Sequence, residues 1–572
     1  MFVRKGPQCV VLRVIFLGLD KWERLWDHAG AVFVRTKTYK NKDGSRRTYL
    51  HIVENVREGG KVRQRILANL GRLEKLQQGQ IDQLIEGLAR WSHKQWVQLQ
   101  ANSLDPRWAR DLGPALIFRR LWEQLGLPGI LRDLLSERRY EMDPEEAIFC
   151  MVLHRLSDPG SKLSLMRWKE KVFRPQFQQL QLQHLYRSLD FLSECKDEIE
   201  GRLFEGVRDL FNLELDLVFW DTTSCYFEGQ GAEGLCEYGY SRDRRPDRVQ
   251  VVIGLLMTRE GVPVAHEVFP GNTADPETFR SVLGDLRGRF RIRRVICVCD
   301  RGMVSEGILR EMESLGLEYI CGVRMRRIKA LREVLGRPGR YHRVGEDLRV
   351  KEVVHQGVRY IVCFNPEEAE RERFQREQMV EKLRQKLSQG GLKALIGNRG
   401  YRRYLRLEGT EAILDQDRLR EEARYDGKYV LRTNTGLSPE EVALAYKGLW
   451  QVERAFRELK SGLELRPVYH WTSKRIRGHI MVCFLAFLLE VALYRKLKEL
   501  GSPASLREVM ADLEALRAVE IRVGGSRYVL RTELQGRAYD AFRAVGMRPP
   551  GKVLEVQDGD VVERGDGVPL TP

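Results

Sequence analysis

Three carboxylates stand where an acid can do chemistry. Asp221 closes the apolar run LDLVFW, Asp300 closes RRVICVC, and Glu453 lies midway along a helix predicted from Ser438 to about Gly462. An acid at the end of a buried strand either caps the next turn or points into a site at the carboxyl ends of a sheet. Three acids that converge repel one another unless a cation neutralises them. Oxygen ligands without Cys or His favour Mg²⁺ or Mn²⁺. On the predicted helix, 100° per residue puts Tyr446, Trp450, Glu453, Arg457 and Lys460 within about 60° of one another. Leu449, Val452, Phe456, Leu459 and Leu463 form a separate apolar stripe. Tyr446 and Lys460 then flank Glu453 by about two turns, a spacing suited to holding a phosphate backbone across a metal site. The alternative is a solvated face with Glu453–Arg457 as an i, i+4 ion pair.

The elements that must position these residues are strands alternating with helices. LDLVFWDTTS, RVQVVIGLLMT, VPVAHEVF, RRVICVCDRG and LEYICGVRM read as strands, with helices near 276–288 and 305–315. That order is α/β. Residues 324–428 interrupt it as a charged, β-rich insertion, and GKYVLRTNT resumes the core. Ser438-Pro439-Glu440-Glu441 supplies an N-cap, a Pro at the first helical position and acids behind it. Upstream, residues 33–75 carry 12 Lys/Arg against 4 Asp/Glu in strand-style alternation with turns at Asp43-Gly44 and Gly59-Gly60. A small basic three-stranded sheet is expected, either a phosphate-backbone binder or a solvated charged face.

The expected organisation is 1–31, an extension or misassigned start; 32–75, the basic sheet; and 76–215, a helical region for binding DNA ends. It continues with 216–323, the first part of the core; 324–428, the insertion; 429–495, the second part of the core with the Glu453 helix; and 496–572, a C-terminal region suited to dimerisation with a disordered tail. The whole chain carries 97 Lys and Arg against 80 Asp and Glu, a net charge of +17, which points to a polyanion partner, nucleic acid first. Its ten cysteines form no CxxC pair, arguing against a zinc site and for a reducing compartment. The longest apolar run, Ile480 to Leu489, is too short to span a bilayer. No membrane partner is expected.

WDTTS (220–224), YGYSRDRRPDRVQV (238–251), FPGNTADPETF (269–279), ICVCDRGM (296–303) and YKGLWQVERAFRELKSG (446–462) together resemble the DDE transposases of bacterial insertion sequences, in the group named for insertion sequence four. The resemblance implies an RNase H-like core interrupted by a β-rich insertion before the third acid. It implies that Asp221, Asp300 and Glu453 bind two divalent metals, Mg²⁺ or Mn²⁺, that cut transposon ends and join them to target DNA. Tyr446 and Lys460 match a Tyr-Arg-Glu-Lys helix signature and are expected at DNA near the cut. The signature's Arg falls on Leu449, leaving Lys447 or Arg457 as substitutes. Arg301 beside Asp300 is a phosphate or salt-bridge partner, and Trp450 either stacks on an unpaired base or is a buried aromatic. DRRPD (243–247) either positions Asp221, touches DNA or forms a salt-bridged turn, and Asn272 and Asp275 form a turn and helix cap.

The expected function is thus a transposase acting on double-stranded DNA, both transposon ends and target. It is expected to be a homodimer in the DNA complex and cytoplasmic, nucleoid-associated when bound. The alternatives are a cleavage-only nuclease and a DNA-binding protein with an inactive core.

Overall fold

The computed structural model of the chain describes residues 32–58, 61–76, 78–89, 104–211, 217–288, 296–326, 328, 330–388, 404–408, 411–523 and 526–557. The 1–31 extension and the Gly59-Gly60 turn lie outside these residues. The chain divides into two compact units, one of residues 1–108, 519–530 and 553–572, the other of 109–518 and 531–552.

In the first unit, β1 (Val32–Lys40), β2 (Arg46–Glu58) and β3 (Lys61–Arg72) form an antiparallel sheet in that order. β1 and β2 pair from Val32↔Glu54 to Lys40↔Arg46. The Asp43 carboxylate closes the turn by accepting from the Ser45 amide at 3.0 Å, with Gly44 at φ 84°. His51, Val53 and Asn55 are buried at alternate positions of β2, while Arg35, Lys37, Lys40, Arg46, Arg47 and Arg63 are exposed. A helix, Gln78–Ala89, follows. The expectation that 76–215 is wholly helical is corrected by β4 (Leu104–Asp111). Its sequence, LDPRWARD, lacks the apolar alternation that marks a strand, so its pairing decides it.

The second unit opens with helices. Gly113–Gln124 and Leu127–Leu135 are separated by Gly126 in the left-handed region, φ 74°. Pro144–Ser157 is capped by the Asp143 carboxylate, and Leu182–Glu194 and Lys196–Phe211 follow. The Ser473–Glu499 helix packs on Leu182–Glu194 and Pro144–Ser157. It is long and apolar enough to cross a membrane, but 83% of its apolar window is buried inside the protein. It is a core helix.

The second unit's sheet has nine strands: β5 (Leu217–Tyr226), β6 (Gln250–Thr258), β7 (Pro263–Pro270), β8 (Ile296–Cys299), β9 (Glu318–Gly322), β10 (His342–Val344), β11 (Leu348–His355), β12 (Val358–Phe364) and β15 (Lys428–Thr433). β13 (Leu405–Glu408) and β14 (Glu411–Leu414) make a separate hairpin. The order is β10-β11-β12-β15-β9-β8-β5-β6-β7. β5, β8 and β9 are parallel neighbours, whereas β5-β6-β7 is an antiparallel meander. A meander followed by two parallel strands on the other side of its first strand is the RNase H-like arrangement. One face is covered by Asp275–Gly288 and Glu306–Ser314, which pack Phe279, Val282, Ile308, Leu309 and Met312 with Val218, Trp220, Cys297, Cys299 and Cys321. On the rest of the sheet, Pro439–Lys447 packs against β8, β9, β11 and β12, and Trp450–Arg457 against β5.

Two further expectations are corrected. The 324–428 segment does not stand apart as a β-domain: β12 pairs with β15 from Arg359↔Thr433 to Phe364↔Lys428, so β10–β12 extend the core sheet. The physical reason is that β15, antiparallel to β9, offers a second open edge that must be paired or covered. The C-terminal region also carries strands: β16 (Arg517–Val523), β17 (Ser526–Arg531) and β18 (Val553–Gln557) form a sheet of order β18-β17-β16-β4. The C-terminal region expected to end in a disordered tail therefore contributes a strand as late as Gln557. Residues 558–572 lie outside the described set.

A Cβ at Gly478 would come within 2.1 Å of the Leu189 carbonyl oxygen, so this glycine sets how closely the core helix approaches Leu182–Glu194. Gly478→Ala is expected to cost about 1–3 kcal/mol through overpacking and to lower the melting temperature by several degrees, read by circular dichroism.

Candidate active site

Asp221 and Asp300 are brought together by strand register. β5 and β8 pair in parallel through Leu217↔Ile296, Val218↔Cys297 and Phe219↔Val298. Continued by two residues, that register puts Asp221 of β5 level with Asp300, the residue just past the end of β8. The charge of Asp300 acts on Asp221. The reading of Asp221 as a strand end is corrected: β5 continues to Tyr226, because β6 stays paired with it to Tyr226↔Gln250 after β8 has stopped. Asp221 lies two residues past the last parallel pair and within the strand.

Side-chain alternation decides which face the acids share. Trp220 points into the core beneath Asp275–Gly288, and Phe219 points the other way. A Cβ on Gly448 would lie 2.4 Å from Phe219 Cζ. Phe219 and, two residues on, Asp221 therefore face the helices of residues 439–457. Burial pushes the Asp221 carboxyl up to about 6, aided by the charges of Asp300 and Asp275 and opposed by the Thr222 amide and Arg242. That amide donates to Asp221 Oδ1 at 2.7 Å.

The helix meant to supply the third acid is not continuous. Ser438 caps it in a reciprocal capping box with Glu441, and Pro439–Lys447 then stops at Gly448. There the amides of Leu449, Gln451 and Val452 bond three residues back, to Tyr446, Gly448 and Leu449, and a second helix runs Trp450–Arg457. Glu458–Gly462 winds as a π-turn. Tight bonding at one junction and wide bonding at the other change the rotation per residue, so uniform 100° arithmetic does not carry from Tyr446 to Lys460. Glu453 sits in the first turn of the second helix and is exposed, its side chain making no hydrogen bond or ion pair among the described residues.

The flanking residues separate into two groups. Lys447, Trp450, Arg457 and Arg301 are exposed, with Trp450 at 54%, which excludes the buried-aromatic reading for it. Tyr446 and Lys460 face protein. The Tyr446 hydroxyl donates to Asp300 Oδ1 at 3.1 Å. Burial, then the charge of Asp300, pushes that phenol well above its usual range, so it stays a donor. The Lys460 ammonium donates to Asp243 Oδ1 at 2.7 Å, and Arg466 pairs with the same oxygen. The Asp243 side chain is only 4% exposed. Lys460, expected at DNA, instead staples the loop carrying Asp243 to the end of the helix.

Sequence reasoning missed the ion pair beside Asp221. Arg242 donates to the Thr222 hydroxyl at 2.8 Å and to both oxygens of Asp275 at 2.8 and 2.9 Å, and Thr222 donates to Asp275 as well. Asp275 is therefore more than a cap. The signal was present in SRDRRPD, where Arg242 and Asp243 are adjacent and take separate partners. Asp247 pairs with Arg245, so the rest of that stretch is a salt-bridged turn. His266 is buried against Glu200.

The residues present fit a divalent cation. Two level carboxylates, one raised by burial and by like charge, lack full compensation from Arg242 alone. They are hard oxygen donors. Among the described residues, the three metal-type ligands whose atoms lie within 4.8 Å of one another are Asp197, Glu200 and Glu267. The Lys196 ammonium already pairs with all three, which makes that cluster an internal ion network.

An α/β fold of this topology, with Asp221 and Asp300 on adjoining segments of the sheet, is consistent with a nucleic-acid phosphoryl-transfer enzyme. Residues 236–489 match the family described as transposase DDE domain, and residues 34–99 match the IS1634 family transposase N-terminal domain. The protein is a DDE transposase of an insertion sequence, a class that uses divalent metal. Asp300 and Glu453 fall inside the first match and Asp221 ahead of its first residue. Comparison with curated proteins finds no match.

Two outcomes follow from this geometry. The folded Asp221 carboxyl holds its proton to higher pH than the unfolded one, near 4. The metal-free protein therefore loses stability as pH rises from about 4 to about 6, and the loss persists above that window. Asp221→Asn is expected to raise the melting temperature in chelator at pH 7, with the gain vanishing below about pH 4 in a pH series of thermal melts. Asp243→Ala leaves Lys460 and Arg466 facing each other without a counter-ion and is expected to cost about 3–5 kcal/mol, measured by denaturant unfolding.

Proposed function

We propose that Asp221, Asp300 and Glu453 form the metal-binding triad of this transposase, holding two Mg²⁺ or Mn²⁺ ions. The observation that carries this is the parallel register setting Asp221 level with Asp300 beneath the helix that bears Glu453. Ions bound there would supply activation of the attacking water or 3′-hydroxyl and neutralisation of the leaving oxygen. The chain's own residues do the rest. Asp221 and Asp300 are held on a rigid sheet, and Glu453 is left free on the neighbouring helix. Arg242 and Asp275 fix Thr222, whose backbone amide orients Asp221. Arg301, Arg457 and Lys447 are exposed cations near these acids in sequence and bind the DNA backbone, and exposed Trp450 stacks on a base at the cut. The basic sheet of residues 32–75 binds DNA through its outward Arg and Lys side chains.

On this reading the products are cut element ends joined to target DNA, made by a homodimer in the DNA complex, and the chain falls in the group named for insertion sequence four. Its place of action is the cytoplasm, on the nucleoid.

The test is cleavage and joining with Mg²⁺ on a duplex carrying the element's own ends. Glu453→Ala is expected to abolish both, a loss of at least a hundredfold, while end binding in a mobility-shift assay persists. Unchanged cutting in that variant would place the third ligand elsewhere.

A further inference from the structure

The geometry points to Tyr446 as a positioning residue for the metal ligand Asp300, not a DNA contact. The inference rests on the proposed metal site and goes beyond it.

Asp300 lies just past the end of β8, in a turn closed by the Met303 amide donating to the Asp300 carbonyl at 3.1 Å. The sheet's ladder therefore fixes its Cα but not its carboxylate. Tyr446 supplies the missing constraint. Its hydroxyl donates to Oδ1 at 3.1 Å. Because a phenol carries one proton, that donation occupies one lone pair of Oδ1 and leaves Oδ2 and the other lone pair for a cation.

The tyrosine is itself held from two sides. Its ring stacks on Tyr429 of β15 at 5.8 Å between centroids and 29° between planes. Its hydroxyl passes over Gly322, the last residue of β9. A Cβ there would stand 2.4 Å from the hydroxyl oxygen and 3.2 Å from the Arg301 amide nitrogen. Only a residue without Cβ lets the hydroxyl reach Asp300. Gly322 has no turn to serve, since its φ lies outside the left-handed region. Room for Tyr446 explains it. Three strands thus converge on one carboxylate oxygen: β8 leads into the aspartate, β9 makes the space and β15 steadies the ring. Ordering a ligand before the ion arrives lowers the entropic cost of binding it and favours one coordination geometry.

The full-length protein decides between this role and a phosphate contact. Mn²⁺ binding without DNA is followed by electron paramagnetic resonance, and binding of an end duplex in chelator by mobility shift. Tyr446→Phe keeps the ring and removes the hydrogen bond. Its expected result is three- to tenfold weaker Mn²⁺ binding, end binding unchanged within twofold, and a cleavage rate that recovers at high Mn²⁺. Gly322→Ala keeps the tyrosine but displaces its hydroxyl and is expected to weaken Mn²⁺ binding likewise. It carries the test should the phenylalanine variant melt early. Weakened end binding with Mn²⁺ affinity intact would overturn the inference. Asp300→Ala serves as the reference. If it also leaves Mn²⁺ binding intact, the proposed metal site has failed and this role falls with it. If Asp300→Ala loses Mn²⁺ and Tyr446→Phe does not, the positioning role alone has failed.

Discussion

The parallel pairing of β5 with β8 is the constraint on which the proposed active centre depends. Three registered residue pairs, ending at Phe219↔Val298, bring Asp221 level with Asp300 just past the end of β8. Such an arrangement works against folding. Burial and like charge oppose the ionisation of Asp221, and Arg242, shared with Asp275 and Thr222, offsets only part of this. The surrounding sheet must therefore be stable enough to tolerate the pair. Nine strands with helices packed against them supply that stability.

A second constraint is how closely the following helix approaches. Gly448 lets that helix descend onto Phe219, two residues before Asp221. The close approach coincides with a change in winding, and a π-turn follows at Glu458–Gly462. These breaks redistribute side chains that a regular helix would line up. Glu453 stays outward and unpaired among the described residues, Tyr446 turns to Asp300, and Lys460 turns to Asp243. The family-like spacing of Tyr, Glu and Lys along the chain thus yields three different environments.

Much of the core was legible in the sequence. The apolar runs leading to Asp221 and Asp300 form β5 and β8 as buried strands do, although β5 continues past Asp221 to Tyr226. The Ser438-Pro439-Glu440-Glu441 cap lies where local hydrogen bonding alone dictates it. The β1–β2 hairpin shows in its alternation and in Asp43-Gly44. What was not legible depends on partners distant in sequence. β4 has no strand pattern of its own and pairs in a sheet with β16. β12 joins the core only because β15, more than sixty residues later in the chain, presents an edge to it. The role of Asp243 needed the fold, since its counter-ions Lys460 and Arg466 come from the far end of the catalytic domain.

The sequence by itself singled out the residues proposed to bear the chemistry. Acid at the end of an apolar run, a net positive charge and a helix rich in aromatic and basic groups are local or additive properties, readable one segment at a time. Tertiary structure alone decided how those residues are used. Strand register set Asp221 beside Asp300, a missing Cβ at Gly322 let Tyr446 reach Asp300, and a buried aspartate drew Lys460 inward. Each of these is a contact between segments far apart in the chain, and its energy depends on burial and distance, which no local pattern encodes.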